Sequence, residues 1–199
     1  TDNTGHLLAL RPDNTTPIAR IAATKLRNAE LPQKLYYNQN IYRINTDYSG
    51  KRNEILQSGI ELIGESGLKA DLLCIMTALE ALKSLAEVKT EIGHVGFFNA
   101  LLKELDLDDE EAATVRNFVE MKNFVSLNMF DKNLQNEKIR KLPLLYGGNE
   151  VFEEAAELAS GNRDANDALD YVKKVYDLLD SAGYAEKIMV DMGIVHKFD

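Results

Sequence analysis

Apolar and polar positions along the chain change period several times, and each change predicts an element. Residues 7–10 (LLAL) form a short apolar run stopped by Pro12, the pattern of a buried strand. A hydroxyl at Thr15 or Thr16, Pro17 in the first turn, and Ile18, Ile21, Ala22 and Leu26 at helical spacing predict a helix next. "KLYYNQNIYRI" (34–44) and "EILQSGIELIG" (54–64) then read as two strands of a long hairpin, joined by the polar, Gly-containing "NTDYSGKRN". Residues 68–86 return to helical spacing through Leu72, Ile75, Met76, Leu79, Leu82 and Ala86, an amphipathic helix. "KTEIGHVGFF" (89–98) predicts a strand running into a helix through "NALLKEL".

Past about residue 104 alternation gives way to acidic helix formers such as "DDEEAATVRNFVEMKNFV" and "NEVFEEAAELAS". A helix over 166–183, with an asparagine cap and a glycine stop, precedes strand-like "KIMVDMGIV" (187–195). The expected organisation is therefore an α+β core over 1–102, a helical module over 103–184, and a return to the core over 185–199. A chain of 199 residues with 45% hydrophobic content can bury a core. Its net charge of -9 supplies no overall attraction to nucleic acid or anionic lipid. A single cysteine, Cys74, in an apolar stretch predicts core packing and a reducing, cytoplasmic setting. No apolar run approaches the roughly 18 residues of a membrane helix. The chain opens without Met and stops inside the alternation "IVHKFD", which predicts a fragment with sequence missing at both ends.

Candidate chemistry concentrates on the second hairpin strand. Alternation puts Ile55, Gln57, Gly59, Glu61 and Ile63 on one face. Gln57 and Glu61 would stand roughly 13 Å apart at about 3.3 Å per residue, with Gly59 leaving a floor bare of side chain between them. A small polar ligand could lie there with a hydrogen-bonding group at each end. Arg43 on the partner strand could hold a carboxylate, and Asp13 and Thr15 at the strand-to-helix corner could supply acceptors. That set complements an amino acid with a polar side chain. The same spacing is also that of a solvated edge face with Gly59 as a bulge, with Arg43 paired to Asp47 or Glu54 and Arg11 to Asp13. Three histidines, His6, His94 and His196, and one cysteine do not make a multi-ligand metal site, and each histidine has a structural reading. No phosphate-binding glycine loop or nucleophile elbow occurs, so no cofactor is expected.

"LRPDNTTPIAR" and "IYRINTDYSGKRNEILQSGIELIG" together resemble the catalytic core of the histidyl-tRNA synthetases, in which an "LRPEGT" corner precedes "FRYERPQxGRxREFHQFGVE". The resemblance implies a class II synthetase-like fold, an antiparallel sheet flanked by helices, with the helical module as an insertion. It also implies that Asp13 and Thr15 lie near a histidine α-amino group and Gln57 near its α-amino and carboxylate end. Arg43 would be the motif 2 arginine, and Glu61 would accept from the imidazole.

The departures are equally specific. Asn45 stands where the synthetases have the motif 2 glutamate, Asn53 and Leu56 where they have an arginine and a histidine, and His196 where they have the arginine that stabilises adenylate formation. Losing such a preorganised cation costs about 2–3 orders of magnitude in rate. With "EIGHVGFFNALL", the chain is similar to a non-catalytic branch of that family, the regulatory subunits of ATP phosphoribosyltransferase. The resemblance implies histidine as effector, self-association as in synthetase-like dimers, and assembly with a short catalytic subunit into a hetero-octamer that gains activity and feedback inhibition. A working synthetase fragment and a histidine-independent assembly module are the rivals.

Overall fold

The structure, a computed structural model, describes residues 1–44, 52–130 and 137–195. It falls into two compact units, residues 1–78 and 79–199.

In the first unit, α1 (Thr15–Thr24) leads to β1 (Gln33–Tyr42) and β2 (Glu54–Ile63), which pair antiparallel over ten residues each. Alternation and the polar loop place both strands within two residues of the expected bounds, 34–44 and 54–64. Register sets Gln39 opposite Gln57, Tyr37 opposite Gly59 and Leu35 opposite Glu61. Directly opposed residues share a face, so this face is the one that contains Gln57, Gly59 and Glu61. Helix α2 (Leu68–Leu82) follows and spans the boundary between the units.

Residues 7–10 are not a strand. Leu7, Leu8 and Leu10 are 90%, 64% and 68% exposed, and a backbone bond from the Tyr42 amide to the Arg11 carbonyl ties the segment's end to β1. Four apolar residues cannot by periodicity alone declare a strand, and without a continuous ladder this run stays irregular.

The second unit carries most of the packed core. Its sheet has the order β3-β5-β4: β3 (Thr90–Ile92) runs parallel to β5 (Ile188–Asp191), and β4 (Tyr146–Gly147) antiparallel to it. The expected strand over 89–98 is cut short, because α3 (Val95–Leu102) starts within it. His94 causes the break: its Nδ1 accepts from the Gly96 amide (3.0 Å), capping the helix, so "VGFF" turns helical. Gly93 lets this corner approach β5, since a Cβ there would sit 2.2 Å from the Asp191 carbonyl oxygen.

Helices α4 (Asp109–Glu120), α5 (Phe124–Met129), α6 (Glu137–Lys141) and α7 (Val151–Ala159) follow in order. The last helix, α8 (Arg163–Ser181), buries Ala165, Ala168, Leu169, Val172, Val175 and Leu179, a stripe at helical spacing that packs on α3 and α7. Its cap is Asn162, whose side chain accepts from the Ala165 amide (3.0 Å), and not the expected Asn166. Asn166 points its amide back to the Ala159 and Asn162 carbonyls instead. Opposite α8, α3 buries Phe97, Phe98, Ala100 and Leu101.

Candidate functional site

The corner preceding α1 meets the hairpin face through side chains rather than through packing. No residue of α1 is buried. The Thr15 hydroxyl donates to Glu61 Oε1 (2.8 Å), and Asn14 Nδ2 donates to Gln57 Oε1 (3.1 Å) with a longer contact to the Gln39 carbonyl (3.4 Å). Arg43 Nε donates to the Pro12 carbonyl (3.2 Å), and Arg11 donates to the Gln39 side chain. Asp13 Oδ1 accepts from the Thr16 amide (3.1 Å), which caps α1. All five expected residues, Asp13, Thr15, Arg43, Gln57 and Glu61, therefore gather where the corner meets one face of the hairpin. Of the two pairings open to Arg43 on sequence, the one to Glu54 is not made, Glu54 being engaged by Asn40 (2.7 Å) and Tyr42 (3.1 Å), and Asp47 lies outside the described residues.

The floor between Gln57 and Glu61 is not bare. A Cβ on Gly59 would stand 2.3 Å from the Tyr37 hydroxyl oxygen and 2.4 Å from its Cζ, so the Tyr37 phenol lies across the glycine. The missing side chain is what admits the ring, an aromatic covering a cross-strand glycine. The expectation of an open floor failed because register, which decides who faces Gly59, is not visible in one strand's alternation.

Beside Glu61 lies a cavity of about 280 Å³, whose walls include Leu35, Ile60, Leu73, Cys74 and Thr77. Cys74 is half-buried and lines this space instead of filling a core. Burial pushes its thiol above the usual range, with the negative charges of Asp71 and Glu61 adding to the rise.

Sequence reasoning passed over Asn14, Tyr37 and Gln39. Asn14 is 2% exposed, and the one signal for it was its place: the synthetase corner "LRPEGT" has glycine there. Of the departures from the synthetase pattern, Leu56 is 66% exposed and by alternation faces away from Gln57, while Asn53 accepts at its carbonyl from the Arg43 amide (2.8 Å). Asn45 and His196 lie outside the described residues. His94 has its structural role at α3, with its ring edge-on to Tyr171 (5.8 Å). His6 is tied to Asp2 and Thr4 in a local turn. Among the described residues no group of three or more His, Cys, Asp and Glu is placed to hold a metal, and no helix is long and apolar enough to cross a membrane.

The histidyl-tRNA synthetase family profile matches residues 1–199. The chain is 46% identical over 203 aligned positions to a Clostridium acetobutylicum protein named ATP phosphoribosyltransferase regulatory subunit, covering 98% of this chain and 50% of that one. A Clostridium kluyveri protein of the same name is 42% identical, covering 100% and 53%. The chain thus spans about half the length of these curated relatives. Among solved structures, a Bacillus halodurans protein described as an ATP phosphoribosyltransferase regulatory subunit/histidyl-tRNA synthetase superposes with a TM-score of 0.86 at 34% identity, over 98% of this chain and 52% of that one. The HisG:HisZ ATP phosphoribosyl transferase complex of Thermotoga maritima contributes a chain with a TM-score of 0.71 at 17% identity, over 98% and 68%, a likeness of fold.

Proposed function

Because the chain belongs to the histidyl-tRNA synthetase family, we propose that it is the effector-binding part of a non-catalytic regulatory subunit of ATP phosphoribosyltransferase, acting in the cytoplasm. The observation that carries this reading is the corner-to-hairpin array: the Thr15 hydroxyl meets the Glu61 carboxylate, the Asn14 amide meets that of Gln57 and the Arg43 guanidinium meets the Pro12 carbonyl, with the Asp13 carboxylate at the same corner. Free histidine has matching needs. Its carboxylate calls for the Arg43 guanidinium and an N–H donor, its ammonium for an acceptor such as Asp13, and its imidazole N–H for the Glu61 carboxylate. The cavity beside Glu61 has room for a ring of that size.

Leu56 and Asn53 support the absence of adenylation. Neither can act as a cation or proton carrier where the synthetases have a histidine and an arginine, so histidine would be bound without being activated. Regulation then follows from linkage: histidine must bind one arrangement of the assembled enzyme more tightly than another, and coupling of about 1–3 kcal/mol is usual for such systems. The partner in this reading is the short catalytic subunit, a reading supported by the structural neighbour that comes from an ATP phosphoribosyl transferase HisG:HisZ complex.

The test uses the intact protein assembled with its catalytic subunit. Gln57→Ala and Glu61→Ala are expected to abolish inhibition by histidine while the assembled enzyme keeps its activity. Unchanged inhibition in both variants would retire the site. A synthetase would instead catalyse histidine-dependent exchange of pyrophosphate into ATP, and the reading expects none.

A further inference from the structure

Asn14 breaks a local rule. It occupies the N-cap of α1, the position where an asparagine side chain normally accepts from the helix's first amides, yet it makes no capping bond. Asp13 does that work through the Thr16 amide. The Asn14 amide is turned onto the hairpin and buried there, with Nδ2 directed at Gln57 Oε1 and the Gln39 carbonyl. Burying a side-chain amide is costly unless it is hydrogen-bonded. Departures of this kind, where local capping is given up, collect at functional sites.

The consequence falls on Gln57. A glutamine amide has one accepting end and one donating end. With Oε1 turned toward Asn14, the end of the Gln57 amide directed away from Asn14 is Nε2, with its two N–H donors. We infer that Asn14 is a positioning residue that fixes Gln57 as a donor, so that this end of the site reads an acceptor, the ligand's carboxylate, and does not read an ammonium. Arg43, held at the corner by the Pro12 carbonyl, supplies the matching charge, and the acceptors Asp13 and Glu61 are left for the cationic and ring N–H groups. This rests on the reading of the site as an amino-acid pocket and adds the direction in which the ligand lies. Glycine at position 14, as in the synthetase corner, cannot impose that direction.

Two probes separate these statements, titrated into the intact protein by calorimetry: histidine, and histamine, which keeps the ammonium and imidazole but lacks the carboxylate. Wild type is expected to bind histidine at least about 10-fold more tightly, the worth of a hydrogen bond to a charged group. Asn14→Asp offers Gln57 only an acceptor, which turns the amide round and sets Oε1 against the carboxylate. Histidine affinity should fall about 10- to 100-fold while histamine affinity changes less than about 3-fold. Asn14→Ala, which removes the lock without adding charge, should give the same selectivity change at smaller size.

Equal affinities of wild type for the two probes would overturn the inference, as would variants that weaken both probes by one factor or neither. Thermal melting of each variant shows whether it is folded, and if neither folds, the wild-type ratio decides. Failure of wild type to bind histidine at all would instead sink the amino-acid pocket itself.

Discussion

The two compact units are held together by different physics. Residues 79–199 bury Phe97, Phe98, Leu101, Val115, Val119, Leu127, Ile139 and Leu142 at 1% exposure or less, and α8 closes over α3 with a full apolar stripe. Residues 1–78 have little of that: α1 buries nothing, Ile41 and Ala70 are the buried apolar residues among those described, and Asn14 and Gln33 are buried beside them. There the ten-residue hairpin ladder and a few side-chain bonds do most of the holding. The unit with the candidate site is the unit with the thinner core. Polar groups left on an accessible face are available to a ligand, and the same groups contribute only about 0.5–1.5 kcal/mol each to folding.

Substitutions break this contrast in graded ways. Phe98→Ala, in the packed unit, should lower stability by about 3–5 kcal/mol in denaturant unfolding, and it also removes the ring under the Arg116 guanidinium (4.7 Å). Gln57→Ala and Glu61→Ala should cost about 1 kcal/mol or less of stability while removing the response to histidine, the opposite balance. Asn162→Ala should cost about 1–2 kcal/mol, because it removes the α8 cap together with the bonds from Asn162 Nδ2 to the Ala100 carbonyl (3.0 Å) and Glu104 (2.7 Å).

Gly59→Ala should cost about 1 kcal/mol. The clash is with the far end of the Tyr37 side chain, which can swing away, but the ring then leaves the floor of the site and histidine affinity should fall with it.

The smallest expected effect is a pH dependence. The hydrogen bond from Lys122 to Asp191 (2.9 Å) holds the Lys122 ammonium above the ordinary lysine range. A raised folded-state value means that the contribution is complete below the unfolded value of 10.5 and is lost as pH rises through the folded one. Alkaline melting curves should therefore lose a step above that pH in wild type and lack it in Lys122→Met.

The hairpin was legible because its two strands alternate over ten residues each and are separated by a polar, Gly-containing loop. The helices α1, α2 and α8 were legible from apolar spacing. What escaped depended on partners distant in sequence. The parallel pairing of β3 with β5 joins two strands of three and four residues nearly a hundred positions apart. Residues 7–10 carried an apolar run with no ladder to complete it, and His94 turned an apolar stretch into a helix by capping it.

At the site, the resemblance and alternation gathered Asp13, Thr15, Arg43, Gln57 and Glu61, all on the corner or the hairpin. Tyr37 required the cross-strand register. Asn14 required knowing that a residue placed to cap a helix does not cap it.

Calorimetric titration of histidine into the intact protein, wild type against Glu61→Ala, tests the central claim most directly. Saturable binding in wild type that weakens about 10-fold or more in a folded Glu61→Ala protein is the predicted result. Identical titrations of the two proteins, or no heat of binding in wild type, would contradict it.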